Sequence, residues 1–245
     1  MPGDVLTATI ESARTLTSDV REIVLAPVNT PPLNYTPGQW ISLRLPIGDR
    51  PPLIRAYTMA TPPAADGRLT LCFDRIEGGL GSEYLWAVEP GNTLEFSGPL
   101  GNFILPESGD LVFVAQYTGI VPFRAMLLGL AGDDAFARSG RKVHLIYGAR
   151  RREDLAYHAE LRAMAATVSW LDYRPVVLEG ATADEAISGS ETDVLEAFAR
   201  EWLPFTPMLC GIREFTFPTR ALLIETFGFE RRAVKVENYN GPTAR

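Results

Sequence analysis

Residues 53–60, LIRAYTMA, place an arginine, a tyrosine and a threonine in what reads as a strand. Strand side chains alternate with a period of two, so Arg55 and Tyr57 share one face while Ala56 and Thr58 share the other. A guanidinium forks onto phosphate through paired charge-assisted hydrogen bonds. An aromatic ring can cover a flat group, and the Thr58 hydroxyl adds a polar handle beside it. The same residues also suit an edge strand, with Arg55 in a surface salt bridge and Tyr57 in ordinary packing. Further on, EGGLGSEYL brings Gly79, Leu80, Gly81 and Ser82 to the apparent start of a helix. Backbone amides there can meet phosphate, helped by helix polarity. The alternative is a flexible turn ending in Ser82 as N-cap.

Three more glycine-bearing turns follow short apolar runs: AQYTGIVP, YGARR and CGIRE. Ligands of open parallel sheets sit at the carboxyl ends of strands, and glycine permits close backbone approach there. Thr118 and Gly119, Arg150 and Arg151, and Cys210 and Gly211 are therefore candidates for one shared cleft. Taken alone, Cys210 equally reads as a small buried apolar group. Arg150, Arg151 and Arg152 equally read as a capped turn meeting Glu153 or Asp154. His144 and His158 belong to no Cys/His/Asp cluster of metal-ligand spacing and read as structural, so no metal site is expected. There is no Ser–His–Asp pattern and no Gly-x-x-x-x-Gly-Lys-Ser/Thr loop.

The elements carrying these residues change character partway along the chain. VREIVLAPV, QWISLRLP, LIRAYTMA, RLTLCFDRI and TLEFSGPL read as short strands punctuated by proline and glycine, with one short helix near SEYLWAV. They predict a small antiparallel barrel or sandwich. LPESGD, residues 105–110, reads as a hinge. From residue 111 the apolar run LVFVA, a helix at PFRAMLLGLAG, the strand VHLIYGA and helices at EDLAYHAELRAMA and ETDVLEAFAREW alternate, followed by PMLCG, FPTRALLIETFG and VKVENY. That alternation predicts a parallel sheet covered on both faces. The expected organisation is β followed by α/β: a barrel over 1–105 and an α/β domain over 106–245.

The 245 residues are 46% hydrophobic, enough for one large or two small domains. A net charge of -7 without a basic tract argues against nucleic-acid binding. Cys72 and Cys210 are the two cysteines, which excludes a four-cysteine iron–sulfur cluster within the chain. No disulfide framework, signal peptide or run of 18 apolar residues is visible, so the expectation is a cytoplasmic protein without a membrane span.

Taken in order, these motifs resemble the ferredoxin–NADP reductase superfamily. Its flavin strand, Arg-x-Tyr-Ser/Thr, is matched by Arg55, Tyr57 and Thr58, and its Gly-x-x-Ser/Thr phosphate turn by Gly79 and Ser82. PGNTLEFSGPLGNF is similar to the segment closing the flavin barrel, TGIVPFRAML to the nicotinamide turn and helix, and YGAR and LCG to later strand ends. The resemblance implies an N-terminal flavin-binding barrel and a nucleotide-binding α/β domain, with FAD bound between them. It also implies hydride transfer from NADPH or NADH to flavin N5. Electrons would then pass to a separate ferredoxin, flavodoxin or oxygenase component. It implies cofactor contacts for Arg55, Tyr57, Thr58, Gly79, Leu80, Gly81, Ser82, Thr118, Gly119, Arg150, Arg151, Cys210 and Gly211. Thr58 and Cys210 would lie at the reacting centre, Cys210 near the nicotinamide C4, and Arg150 would meet a 2'-phosphate. Glu237 and Tyr239 would end the α/β domain near the flavin. One departure stands out: Gln116 and Tyr117 occupy places where the superfamily has glycines. It leaves open a flavin-binding electron-transfer or regulatory subunit with altered or lost NAD(P)H use. A barrel plus α/β binding module with neither ligand is a further alternative.

Overall fold

The structure, a computed structural model, describes residues 4–48, 51–182 and 186–239. The expected outer limits at residues 1 and 245 lie outside these. The chain packs as two compact units. Of the described residues, one unit comprises those through Leu105 together with Arg124–Gly129, and the other comprises Pro106–Phe123 and those from Leu130 onward.

The first unit contains β1 (Leu6–Thr15), β2 (Val20–Pro27), β3 (Trp40–Leu45), β4 (Leu53–Thr58), β5 (Leu69–Asp74), helix α1 (Leu80–Trp86) and β6 (Thr93–Leu100). The strands pair antiparallel in the order β4-β3-β6-β1-β2-β5. Beyond β4, Met59 pairs with Leu71, and Ala60 N–H donates to Thr70 O at 2.8 Å. These bonds join the chain just past β4 to β5, so the two outermost strands of the barrel meet at one end. In β3 the period of two is unbroken: Ile41, Leu43 and Leu45 are fully buried, while Ser42 and Arg44 point outward. Each such buried aliphatic side chain contributes about 1.5–3 kcal/mol.

The second unit runs β7 (Asp110–Gln116), α2 (Ile120–Ala131), whose middle belongs to the first unit, α3 (Asp134–Arg138), β8 (Val143–Ala149) and α4 (His158–Thr167). It continues with β9 (Leu171–Val177), β10 (Ile187–Ser188), α5 (Glu191–Trp202), β11 (Phe205–Ile212), α6 (Arg213–Glu225) and β12 (Lys235–Tyr239). Its sheet is parallel throughout, in the order β10-β9-β8-β7-β11-β12. Residues 111–115 of β7 are wholly buried because both faces are covered. Phe113 stacks on Phe123 at 4.5 Å, whereas Val112 and Val114 join the core containing Leu195, Ala199 and Phe215.

Fold class thus follows the sequence expectation, while several boundaries differ. Residues 152–154 form a separate 3-10 turn and Tyr157 takes φ 61°, so α4 starts at His158 rather than in the EDLAY segment. Helix α6 starts at Arg213, ahead of the FPTRALLIETFG segment, and continues through Pro218. Strands β1 and β9 were not anticipated.

Among the described residues no helix is long and apolar enough to cross a membrane.

Candidate functional site

In the barrel, β4 is poorly buried along its length, and Arg55 is exposed. Its Nη1 donates to Ile54 O at 2.8 Å, and among the described residues no carboxylate pairs with it. Tyr57 turns its ring edge to Phe73 at 5.9 Å, and burial pushes its hydroxyl pKa up to about 12. Thr58 ends the strand opposite Trp40. Helix α1 begins after Gly79, so Gly79 is the N-cap and Ser82 lies inside the first turn. The buried Ser82 hydroxyl accepts from Ile76 N–H at 3.0 Å and lies 3.0 Å and 3.1 Å from the Ile76 and Gly79 carbonyl oxygens. It therefore ties the glycine loop together. The first-turn amides of Leu80, Gly81 and Ser82 have no intrahelical acceptors, as at any helix start. Gly81 brings that turn onto Arg55: a β-carbon on Gly81 would sit 3.4 Å from Arg55 Cγ. The Arg55 stem thus lies against the helix start, and an arginine with no carboxylate partner among the described residues, together with the first-turn amides, is a donor set that fits a pyrophosphate.

In the second unit the strand order places the ends of β8, β7 and β11 side by side. This is where connections leave the sheet in opposite directions, the usual ligand position in open parallel sheets. After β7 the chain enters a tight 3-10 turn, Tyr117–Gly119. Tyr117 has φ 50°, the left-handed region that favours glycine. The turn keeps the glycine backbone shape while carrying a bulky side chain, at a cost on the order of 1–3 kcal/mol. Gly119 has no room for a side chain, because a β-carbon would lie 2.1 Å from Cys210 O. Gly211 is similarly confined, by Phe215 at 2.8 Å and Gln116 Cβ at 3.2 Å. Tyr239 closes the arrangement: its hydroxyl donates to Gln116 O at 2.7 Å and accepts from Gly119 N–H at 3.2 Å. Cys210 is buried, and desolvation, with Glu237 adding to it, raises its thiol pKa well above the usual value. It stays protonated and is no thiolate nucleophile.

Residues 7–104 match the oxidoreductase FAD-binding domain family, and residues 113–217 match the oxidoreductase NAD-binding domain family. A ferredoxin–NADP reductase B of Sorangium cellulosum is 31% identical over 243 residues, covering 95% of this chain and 97% of that protein. The chain belongs to the ferredoxin–NADP reductase superfamily. A second relative is the ferredoxin reductase component of the 3-ketosteroid-9-alpha-monooxygenase of Rhodococcus rhodochrous. It is 29% identical over 91% of this chain, which spans only 62% of that protein's length. Among solved structures, the cytochrome P450 reductase GcoB of Amycolatopsis superposes with a TM-score of 0.79 at 25% identity, covering 96% of this chain and 69% of GcoB. A ferredoxin NADP+ reductase from Neisseria gonorrhoeae with bound FAD and NADP shares the fold, with a TM-score of 0.80 at 19% identity over 97% of this chain and 98% of that one.

As a member of the ferredoxin–NADP reductase superfamily, the chain is a flavoprotein oxidoreductase with an FAD-binding and an NAD(P)-binding domain. The structure brings Arg55 next to Gly81, and Thr118–Gly119 onto Cys210–Gly211. Arg150 and Arg151 stand at the end of the neighbouring β8, where Glu179 pairs with both. The alternative reading of the sequence had these arginines meet Glu153 or Asp154. Asp154 does accept from the Arg151 backbone N–H at 3.1 Å, but the guanidiniums go elsewhere.

Sequence reasoning also missed Glu191. Its helix carries a capping box, Ser190 with Asp193, legible in the sequence as SETD. Nothing local shows that Glu191 turns inward. It is 5% exposed and lies against the backbone of Gly148, where a β-carbon would meet Glu191 Oε1 at 1.9 Å. Burial pushes its carboxyl pKa up to about 7, with Asp193 adding to the shift and a hydrogen bond from Gln116 opposing it. Gln116 Oε1 is itself buried without a hydrogen-bond partner among the described residues. A protonated Glu191 can donate to that oxygen once the amide is turned over. The residue that departs from the superfamily pattern thus has a buried carboxyl as neighbour.

Glu191 gives a pH dependence of known sign. Below about pH 4.5 the carboxyl is protonated in both the folded and the unfolded chain. Between about 4.5 and 7 the unfolded chain releases the proton and the folded one keeps it, so stability falls as pH rises. Across that window the loss is about 3 kcal/mol, after which the contribution is flat. Urea midpoints of the wild type and Glu191→Gln, measured from pH 4.5 to 8, should diverge as pH rises, with the variant the more stable at pH 8. Parallel curves would remove Glu191 as the source.

Proposed function

We propose that this chain is a reductase that takes hydride from NADPH or NADH onto a non-covalent FAD and passes electrons to a separate ferredoxin, flavodoxin or oxygenase component. The observation that carries the reading is Arg55, whose stem packs on the helix start at Gly81 and which has no carboxylate partner among the described residues. The Sorangium relative is named for ferredoxin and NADP, and the Rhodococcus relative for its monooxygenase system, which supports a separate redox partner. FAD, when bound, supplies the exchange between two-electron and one-electron chemistry.

This chain's residues supply binding and orientation. Arg55 and the amides of residues 80–82 hold phosphate, Tyr57 covers the flat ring system, and Thr58 offers it a hydroxyl. We assign FAD to residues 1–105 and the nucleotide donor to 106–245. The turn at Thr118 and Gly119, seated on Cys210 and Gly211, forms one wall for the donor. Cys210, neutral and buried, orients the nicotinamide by packing, since a near-attack arrangement needs position rather than a nucleophile. Arg150, helped by Arg151, meets a 2'-phosphate and gives a modest preference for NADPH.

One observation favours the second reading, a flavin-binding electron-transfer or regulatory subunit with altered donor use. Tyr117 sits in a glycine conformation, and the Gly119 N–H is already bonded to Tyr239. Donor approach then requires this turn to yield, with Tyr117 as a gate.

Three measurements test the proposal. Arg55→Ala should weaken FAD binding by about 1.5–3 kcal/mol, read by flavin titration of the stripped protein. A protein that binds no FAD at all would end the reading. Arg150→Ala should lower kcat/KM for NADPH more than for NADH, and equal losses would make Arg150 structural. Tyr117→Gly should speed anaerobic flavin reduction in stopped flow while leaving FAD in place. An unchanged or slower rate with either nucleotide would remove the gate.

A further inference from the structure

Arg150 and Arg151 are consecutive, yet both guanidiniums fall on one carboxylate. Arg150 Nε lies 3.0 Å from Glu179 Oε1, and Arg151 Nε lies 3.0 Å from Glu179 Oε2. The backbone fixes the geometry: Leu178 N–H and Glu179 N–H both donate to Arg150 O, at 3.1 Å and 3.0 Å. The ends of β8 and β9 are thereby laced together at the carboxyl edge of the sheet. The three side chains are 59%, 53% and 42% exposed, so solvent and solutes reach them. The two arginines, Arg150 first, hold the Glu179 carboxyl below its usual range, so it is ionised at neutral pH.

Two forked donors converging on two oxygens of one anion is the arrangement that binds an oxyanion from solution. Here the chain's own carboxylate fills it. We propose that Glu179 is a built-in competitor for a phosphate monoester at Arg150 and Arg151, and so a specificity-determining residue for the nucleotide donor. The inference rests on the assignment of Arg150 to the 2'-phosphate. A 2'-phosphate must displace Glu179, whereas the 2'-hydroxyl of an unphosphorylated ribose displaces nothing and can donate to it. Exposed ion pairs are weak, so the displacement is feasible. Its consequence is a narrowed gap between the two donors: the arginines favour the phosphorylated one, and Glu179 removes part of that advantage.

The test is calorimetric titration of the purified holoprotein with adenosine 2',5'-bisphosphate, with 5'-AMP as the control, at one fixed low salt concentration. Glu179→Gln should tighten the bisphosphate about three- to tenfold and leave 5'-AMP within about twofold. Glu179→Ala should act in the same direction, which guards against a peculiarity of one variant, and thermal unfolding midpoints should confirm that both are folded. Arg150→Ala should weaken the bisphosphate. If Arg150→Ala does so but both Glu179 variants leave it unchanged or weaker, Glu179 orders the arginines rather than competing, and the inference is overturned while the Arg150 assignment stands. If Arg150→Ala has no selective effect, the assignment fails and the inference falls with it.

Discussion

At Gly119 a β-carbon would stand 2.1 Å from the carbonyl oxygen of Cys210, so the turn after β7 can lie on the end of β11 only as bare backbone. Much of the carboxyl edge depends on that approach. It puts Thr118 and Gly119 beside Cys210 and Gly211, although they stand far apart in sequence. It brings Gln116 Cβ to within 3.2 Å of where a side chain on Gly211 would begin, which keeps Gly211 a glycine as well. Within this tightly seated turn Tyr117 takes a left-handed backbone on the path from β7 into α2. The departure from the superfamily pattern is therefore one of side chain: the backbone that glycine usually serves is retained.

The motifs legible in the sequence were those whose meaning is local. Ile41, Leu43 and Leu45 alternate cleanly, and β3 follows from that alone. Arg55, Tyr57 and Thr58 are close enough in sequence for one strand to present them together. Strand β1 escaped notice because its register with β2 shifts between Ile10 and Ser12, which breaks the period of two in mid-strand. Strand β9 escaped because Asp172, Arg174 and Pro175 read as polar or breaking residues. In the fold Asp172 meets His144 at 3.0 Å, and Arg174 covers the ring of Phe198 at 3.8 Å, contacts that only the assembled sheet supplies. Glu179 and Glu191 were illegible for the same reason. Each gains its significance from residues on another strand, and no spacing along the chain encodes that.

Two arginines read from sequence as equivalent anion binders differ once folded. Arg55 bonds to its neighbour's carbonyl and leaves its charge uncompensated by any carboxylate among the described residues. Arg150 shares a carboxylate with Arg151. A bare cation next to helix-start amides is a standing attraction for phosphate, whereas a neutralised one is a conditional attraction whose strength depends on what its carboxylate does. Residue type gave the chemistry in both cases, and tertiary placement decided whether that chemistry was already engaged.

The hydroxyl of Tyr239 bridges Gln116 O and Gly119 N–H across 123 and 120 residues of chain. Strand β12 is the last of the described strands, and it docks on β11, itself a late arrival beside β7. A chain synthesised from its N-terminus can build the barrel and pair β7 with β8 while most of the second unit is still being made. The turn after β7 cannot acquire its final hydrogen bonds in that time, because their partner does not yet exist. Maturation of this edge therefore waits for β12, and a nascent chain in which that strand has not yet been made would hold an unfinished turn after β7.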